Sequence, residues 1–98
     1  MTDAEIEDLI LRAVRNMNLA RKPDAQVAVS PAAALFGAES PLDSLGLVSL
    51  LMDIEEDLAG RGFDITLSDA RAMSQRLSPF RSVPALVGYI RERLAADR

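Results

Sequence analysis

The sequence predicts an all-α domain: a four-helix bundle with a long loop between its first and second helices and a short third helix. Apolar residues recur at the spacing of amphipathic helices in three long stretches and one short stretch. Alternating patterns are confined to residues 26–30 and 63–67, and two short segments do not make a stable sheet. Because 98 residues support one hydrophobic core, residues 1–98 are predicted to be a single domain.

The composition limits the chemistry that the chain performs by itself. Hydrophobic residues make up 49% of the chain and aromatic residues only 4%, so the core is expected to be aliphatic. The sequence contains no Cys and no His, which excludes disulfides, Cys/His metal sites, cysteine nucleophiles and an imidazole base. We therefore predict no catalytic residue, no metal site and no enzymatic activity.

The charge distribution bears on partners and location. A net charge of -4 argues against binding to nucleic acid and favours protein partners that carry basic patches. The first residues, 1–7, carry three acids where a signal peptide needs a positive start, and no apolar stretch approaches membrane-spanning length. The expectation is a cytoplasmic, monomeric protein with no membrane span.

The first helix is predicted over Asp3–Asn18, with Thr2 and Glu5 forming a capping box. Residues 19–43 follow as a long loop that is interrupted by Pro and Gly, with one helical turn expected at residues 31–35. Four apolar residues are expected to anchor this loop to the core: Val27, Val29, Leu35 and Phe36.

Two further helices are predicted in the second half of the chain. Thr66, followed three residues later by Asp69, caps a short third helix, and Pro79 stops it. Ser82 caps the fourth helix, in which Pro84 is tolerated because it lies in the first turn. The apolar residues expected to be buried in the fourth helix are Val83, Leu86, Val87, Ile90 and Leu94.

The second helix, residues 45–58, has apolar residues on two faces. One stripe is expected to face the core and consists of Leu47, Leu50, Leu51, Ile54 and Leu58. Leu45, Val48 and Met52 lie on nearly the opposite side, next to Glu55 and Glu56. This second stripe is either a docking surface or a surface that the long loop covers.

Ser44 stands where the second helix begins, directly after Asp43. Either residue suits an ordinary N-cap, whose side-chain oxygen accepts a hydrogen bond from a free backbone amide. A phosphate joined to Ser44 would also lie at the positive end of the helix dipole, near amides that have no intrahelical partner. The residue types alone leave both interpretations open.

The segment 42–48, Leu-Asp-Ser-Leu-Gly-Leu-Val, resembles the phosphopantetheine attachment motif of acyl and peptidyl carrier proteins. Its surroundings are similar to the same family from the first helix to the fourth. The further segments that carry the resemblance are Leu35-Phe36-Gly37, Glu55-Glu56, Phe63-Asp64-Ile65, Ser82-Val83-Pro84-Ala85-Leu86 and Tyr89-Ile90.

The resemblance implies a four-helix bundle of acyl-carrier type and a role in lipid or polyketide-type synthesis. By this similarity, Ser44 receives 4′-phosphopantetheine from coenzyme A, delivered by a phosphopantetheinyl transferase with magnesium, and Asp43 helps to present the serine. The arm then carries acyl groups as thioesters, supplied or removed by acyl-activating or acyl-transferring enzymes with basic docking patches. The positions that match partner-docking residues of the family are Leu45, Val48, Met52, Glu55 and Glu56.

Some features depart from the family pattern and leave alternatives. Ser49 replaces the Glu that many fatty-acid carriers have, and Arg12 and Arg15 add positive charge to the first helix. Both suggest a specialised carrier. The alternatives are an aminoacyl or peptidyl carrier and an unmodified helical interaction module. An enzyme that uses Ser44 as nucleophile is disfavoured, because the chain has neither His nor a Ser-x-x-Lys spacing.

Overall fold

The computed structural model describes residues 1–35, 42, 44–67 and 80–96, with Ser44 and Ala96 described by their backbone only. These residues form three α-helices and no strand, which confirms the all-α class for the described part of the chain. The helices are α1 (Asp3–Asn18), α2 (Ser44–Gly60) and α3 (Val83–Ala96). Helix α3 is the helix predicted as the fourth. The predicted third helix falls largely on residues 68–79, outside the described residues.

Helix α1 begins at the predicted capping box. The Thr2 backbone N–H donates to Glu5 Oε1 at 2.8 Å, and the Glu5 backbone N–H donates to Thr2 Oγ1 at 3.2 Å. Two of the amides that lack intrahelical partners are thereby satisfied. The buried side chains of α1 are those of Ile6, Leu9, Ile10, Ala13, Val14 and Asn18.

The capping box makes a small part of the stability pH-dependent. Hydrogen bonds from the Thr2 backbone and then the Thr2 side chain lower the pKa of Glu5. A carboxyl group with a lowered folded-state pKa stabilises the fold above its unfolded-state pKa, and this contribution is lost as the pH falls through the folded-state value. We expect Glu5→Gln to lose less stability on acidification than the wild type, measured by urea unfolding between neutral and acidic pH. Glu7→Gln, outside the box, should keep the wild-type slope; equal slopes for all three proteins would contradict the assignment.

Helix α2 buries the predicted core stripe and stops at the predicted glycines. Beyond Gly60 the Gly62 N–H donates to the Ala59 carbonyl at 3.0 Å, and the Phe63 N–H donates to the Leu58 carbonyl at 2.9 Å. This pair of bonds is a Schellman motif, and it needs a residue at positive φ, which Gly62 supplies at 92°. The core residues of α2 are Leu47, Leu50, Leu51, Ile54 and Leu58.

Helix α3 begins after the predicted cap. Ser82 Oγ accepts a hydrogen bond from the Ala85 backbone N–H at 3.3 Å, which satisfies one amide of the first turn. All five residues expected to be buried in this helix are buried. In addition, Phe80 packs edge-to-face against Tyr89, with ring centroids 5.7 Å apart.

The loop after α1 differs from the prediction. The prediction of a helical turn over residues 31–35 is wrong. The Ala33 N–H donates to the Ser30 carbonyl at 3.0 Å and forms a single turn, after which the chain becomes extended. The reason is a backbone pairing with the residues before α3. The Leu35 N–H donates to the Arg81 carbonyl, and the Val83 N–H donates to the Ala33 carbonyl, both at 2.9 Å. A 3-10 turn at Pro23–Ala25, which was not predicted, precedes this segment.

A buried amide holds the start of the same loop to α1. Asn18 Nδ2 donates to the Val27 carbonyl at 2.8 Å, and the Val27 N–H donates to Asn18 Oδ1 at 2.9 Å. Val27 and Leu35 are buried, as expected of anchors. Val29 is 40% exposed, so its assignment as an anchor is wrong, because the chain turns its side chain outward two residues after Val27. Phe36 lies outside the described residues.

Helix α1 packs against both α2 and α3, and the buried residues of all three join one aliphatic core. An exposed ion pair between Asp3 and Arg91, at 2.6 Å, links the ends of α1 and α3 and contributes little. Among the described residues, no helix is long and apolar enough to cross a membrane.

Candidate functional site

The candidate modification site lies at the beginning of α2. Ser44 is the first residue of this helix. The residues on either side of it along the chain differ in exposure, because Leu42 is buried and Leu45 is 76% exposed. The first turn of α2 therefore has an exposed side, at Leu45. The Ser44 side chain and the whole of Asp43, the second predicted site residue, lie outside the described residues.

The electrostatics of α2 suit an anion at this end. The first amides of an α-helix have no intrahelical acceptor, and the dipole places partial positive charge beside them. Within α2 the first charged residue after Ser44 is Asp53. Nine residues at the helical rise correspond to about 13 Å, more than the Debye length of about 8 Å at physiological ionic strength. The acids of α2 would thus oppose a phosphate ester only weakly, and the helix terminus would favour it.

The two apolar faces of α2 separate as predicted. The core stripe is buried, whereas Leu45 is 76% and Met52 is 56% exposed. Val48 is half-buried. Leu45 and Met52 are therefore not covered by the part of the loop that the structure describes. Two large apolar side chains at the surface of a helix that carries several acids are typical of a protein-docking surface.

The paired acids of α2 have different surroundings. Glu56 is exposed. Glu55 is half-buried, and its carboxylate accepts a hydrogen bond from the Leu67 backbone N–H. Glu55 therefore holds Leu67, in the segment that follows α2, against this helix. Its predicted docking role stays a prediction. The contact with Leu67 was not predicted from the sequence, because no local pattern links residues 12 positions apart.

Replacing the two acids by Ala should separate these roles. Glu55→Ala leaves the Leu67 amide without its carboxylate partner and is expected to cost about 1–2 kcal/mol in the free energy of unfolding. Glu56→Ala removes an exposed charge and should stay within about 0.5 kcal/mol of the wild type. Urea unfolding measures both. Equal stabilities for the two variants would show that the contact with Leu67 contributes nothing.

A groove between α1 and α2 brings together charges that the sequence pattern did not connect. Arg12, singled out as a departure from the family pattern, lies at this groove and also pairs with Asp8 at 2.9 Å. The groove thus combines one cation of α1 with several acids of α2. The polar residues that line it are Arg12, Asn16, Asp53, Glu56 and Asp57.

No protein-family model, curated protein or solved structure matches this chain significantly.

Proposed function

We propose that the chain is a carrier protein of acyl-carrier type, without catalysis of its own, that holds acyl groups as thioesters on a 4′-phosphopantetheine arm at Ser44. The observation that carries the proposal is the position of Ser44 as the first residue of a 17-residue helix, within a segment that resembles the attachment motif. The proposed fold is a four-helix bundle with a short third helix between α2 and α3. The carrier would act in the cytoplasm.

The beginning of α2 fits the group that the proposal requires. A phosphodiester is an anion, and the positive end of the helix dipole favours an anion there. In the attachment step the Ser44 oxygen would form the new bond to phosphorus, adenosine bisphosphate would leave, and the hydroxyl proton would be lost. When attached, the arm supplies the thiol that the chain lacks, since the sequence has no Cys.

The second face of α2 supports docking to basic partners. Leu45 and Met52 provide exposed apolar contacts, and α2 carries four acids and no base. Opposite charge speeds the encounter of two proteins and selects among partners more than it raises affinity. The partners in this proposal are the phosphopantetheinyl transferase and acyl-activating or acyl-transferring enzymes.

Modification of the purified protein tests the proposal. The unmodified protein is incubated with coenzyme A, magnesium and a phosphopantetheinyl transferase of broad specificity, and its intact mass is measured. We expect a gain of one phosphopantetheinyl group, complete loss of this gain in Ser44→Ala, and its retention in Ser49→Ala, which changes an exposed serine of the same helix. If the wild type gains no mass while a known carrier is modified in the same reaction, the proposal fails.

A second candidate is an unmodified helical interaction module. The exposure of Leu45 and Met52 favours it, because that surface is present without any modification. In such a module Ser44 only caps α2, and wild type and Ser44→Ala would behave identically in the modification assay. If the adduct forms, the cargo decides between an acyl carrier and an aminoacyl or peptidyl carrier, and mass spectrometry of the arm from native cells identifies it.

A further inference from the structure

The exposed large apolar residues of the described structure fall into two pairs. One pair lies on α2, where Leu45 is 76% and Met52 is 56% exposed. The other pair lies at the end of α1 and in the following loop, where Leu19 is 86% and Val29 is 40% exposed. We call the surroundings of the first pair the α2 patch and those of the second pair the α1-end patch.

The two patches carry opposite charge. Residues 15–29, which contain the α1-end patch, carry three cations and one acid, a net charge of +2 in a chain of net charge -4. Residues 44–60, which carry the α2 patch, contain four acids and no cation. Arg15 in the last turn of α1 is explained by the helix dipole, which favours a cation there. The dipole does not explain two exposed apolar side chains beside that cation.

Hydrogen bonds preorganise the α1-end patch. Arg15, Leu19 and Val29 line a shallow depression together with Asn18 and Gln26. The Asn18 side chain holds the loop at Val27, and Gln26 Nε2 donates to the Asn18 carbonyl at 3.2 Å. A surface that is already ordered loses little conformational freedom when it binds.

The same turn of α1 borders the acids of α2. Asn16 lines the groove that Asp53 and Glu56 also line, while Arg15 and Asn18 line the depression. The basic patch and the acidic helix are therefore neighbours on the surface. Neighbouring patches of opposite charge suit a twofold arrangement, in which each copy offers both patches to its partner.

We propose that this chain associates weakly with a second copy of itself, the α1-end patch of each copy contacting the α2 patch of the other. Both patches present two apolar side chains, and their charges are complementary. A stable interface uses about 20 to 30 residues a side, far more than these patches, so the association is transient. An anionic membrane would suit the basic patch alone, but the acids of the neighbouring helix would be repelled by it.

The consequence is competition for α2. Self-association covers Leu45 and Met52, the residues proposed to contact partner enzymes, so it lowers the concentration of copies that are free to dock. At low concentration we expect the monomer that the sequence predicts. The associated form is expected only at high concentration. This inference does not depend on the modification of Ser44, because neither patch contains an attached group.

A concentration series of the unmodified full chain tests the inference by 1H–15N NMR. We expect the amide signals of Leu19, Val29, Leu45 and Met52 to shift as the concentration rises toward the millimolar range. The shifts should shrink in high salt, which screens exposed charges. Signals independent of concentration, or binding to phosphatidylglycerol vesicles without self-association, would overturn the proposal.

Charge reversal identifies the patches. Arg15→Glu should weaken self-association about 25-fold, about fivefold for each of the two symmetry-related ion pairs of the dimer that become repulsive. Arg81→Glu, an equal charge change at another exposed site, should not weaken it. Asp53→Lys should weaken it similarly, and mixing Arg15→Glu with Asp53→Lys should restore association, measured by sedimentation velocity. Equal effects of Arg15→Glu and Arg81→Glu, or no recovery on mixing, would refute the assigned contact. Neither result decides whether Ser44 is modified, because the modification assay measures a covalent adduct and not this contact.

Discussion

Ile54→Asp is expected to unfold the domain or loosen its packing, whereas Met52→Asp, on another face of the same helix, leaves stability nearly unchanged. Ile54 is fully buried and Met52 is 56% exposed. The substitution at position 54 loses about 1.5–3 kcal/mol of burial. It also adds a buried carboxyl group without a partner, at a further cost of about 1–3 kcal/mol or more. Since small domains are stable by only about 5–15 kcal/mol, this is a large part of the total.

Thermal melts followed by circular dichroism measure the difference. For a domain of this size each kcal/mol corresponds to about 4–8 °C in Tm. Ile54→Val, expected to cost about 0.5–1.5 kcal/mol, stays folded and gives a measurable value if Ile54→Asp does not fold. Met52→Val is the matched control and should not change the Tm. A larger loss at position 52 than at position 54 would mean that the faces of α2 are assigned the wrong way round.

The features that the sequence predicted correctly are those with local signals. Thr2 and Glu5 are three residues apart, so their capping box can be read directly from the chain. Gly62 marks the end of α2 because few other residues adopt its positive φ. The two faces of α2 follow from helical periodicity, which assigned Leu45 and Ile54 to opposite environments before any tertiary contact was known.

The features that the sequence did not predict depend on contacts between distant residues. The turn expected at residues 31–35 gives way to an extended segment, because Leu35 pairs with the backbone of Arg81 far along the chain. Loop propensity contains no information about that partner. Val29 appeared equivalent to Val27 in the pattern, but only Val27 is held inward by Asn18.

The candidate site also combines a feature with a local signal and features that depend on contacts between distant residues. Ser44 was identified by a short motif at a helix start, and helix starts are marked locally by residue type. The contact of Glu55 with Leu67, and the groove that Arg12 and Asp53 both line, depend on how helices and segments pack. Contacts of this kind cannot be predicted from periodicity, whereas the prediction at Ser44 needs only the local motif.

Asn18→Ala is expected to be the most destabilising substitution of a polar residue among the described helices. Asn18 is the buried polar residue of the described core, at 8% exposure, and its amide satisfies both the N–H and the carbonyl of Val27. Its removal leaves two backbone groups near the core without these partners. Each unsatisfied group costs about 1–3 kcal/mol unless water reaches it. We expect a loss of about 2–4 kcal/mol, allowing for partial hydration of the loop.

The control is Asn16→Ala, which removes an exposed amide from the same turn of α1 and should cost less than about 0.5 kcal/mol in the free energy of unfolding.

Asn18→Asp distinguishes the hydrogen bonds from simple packing, because a carboxylate has nearly the same shape as the amide but cannot donate to the Val27 carbonyl. We expect Asn18→Asp to be at least as destabilising as Asn18→Ala at neutral pH and to recover partly in mild acid, where the carboxyl group regains a proton to donate. Hydrogen exchange at the Val27 amide should rise in both variants. If Asn18→Ala and Asn16→Ala had the same Tm, the loop would be held by its buried apolar residues instead of by the Asn18 amide. The α1-end patch would then not be preorganised by this amide.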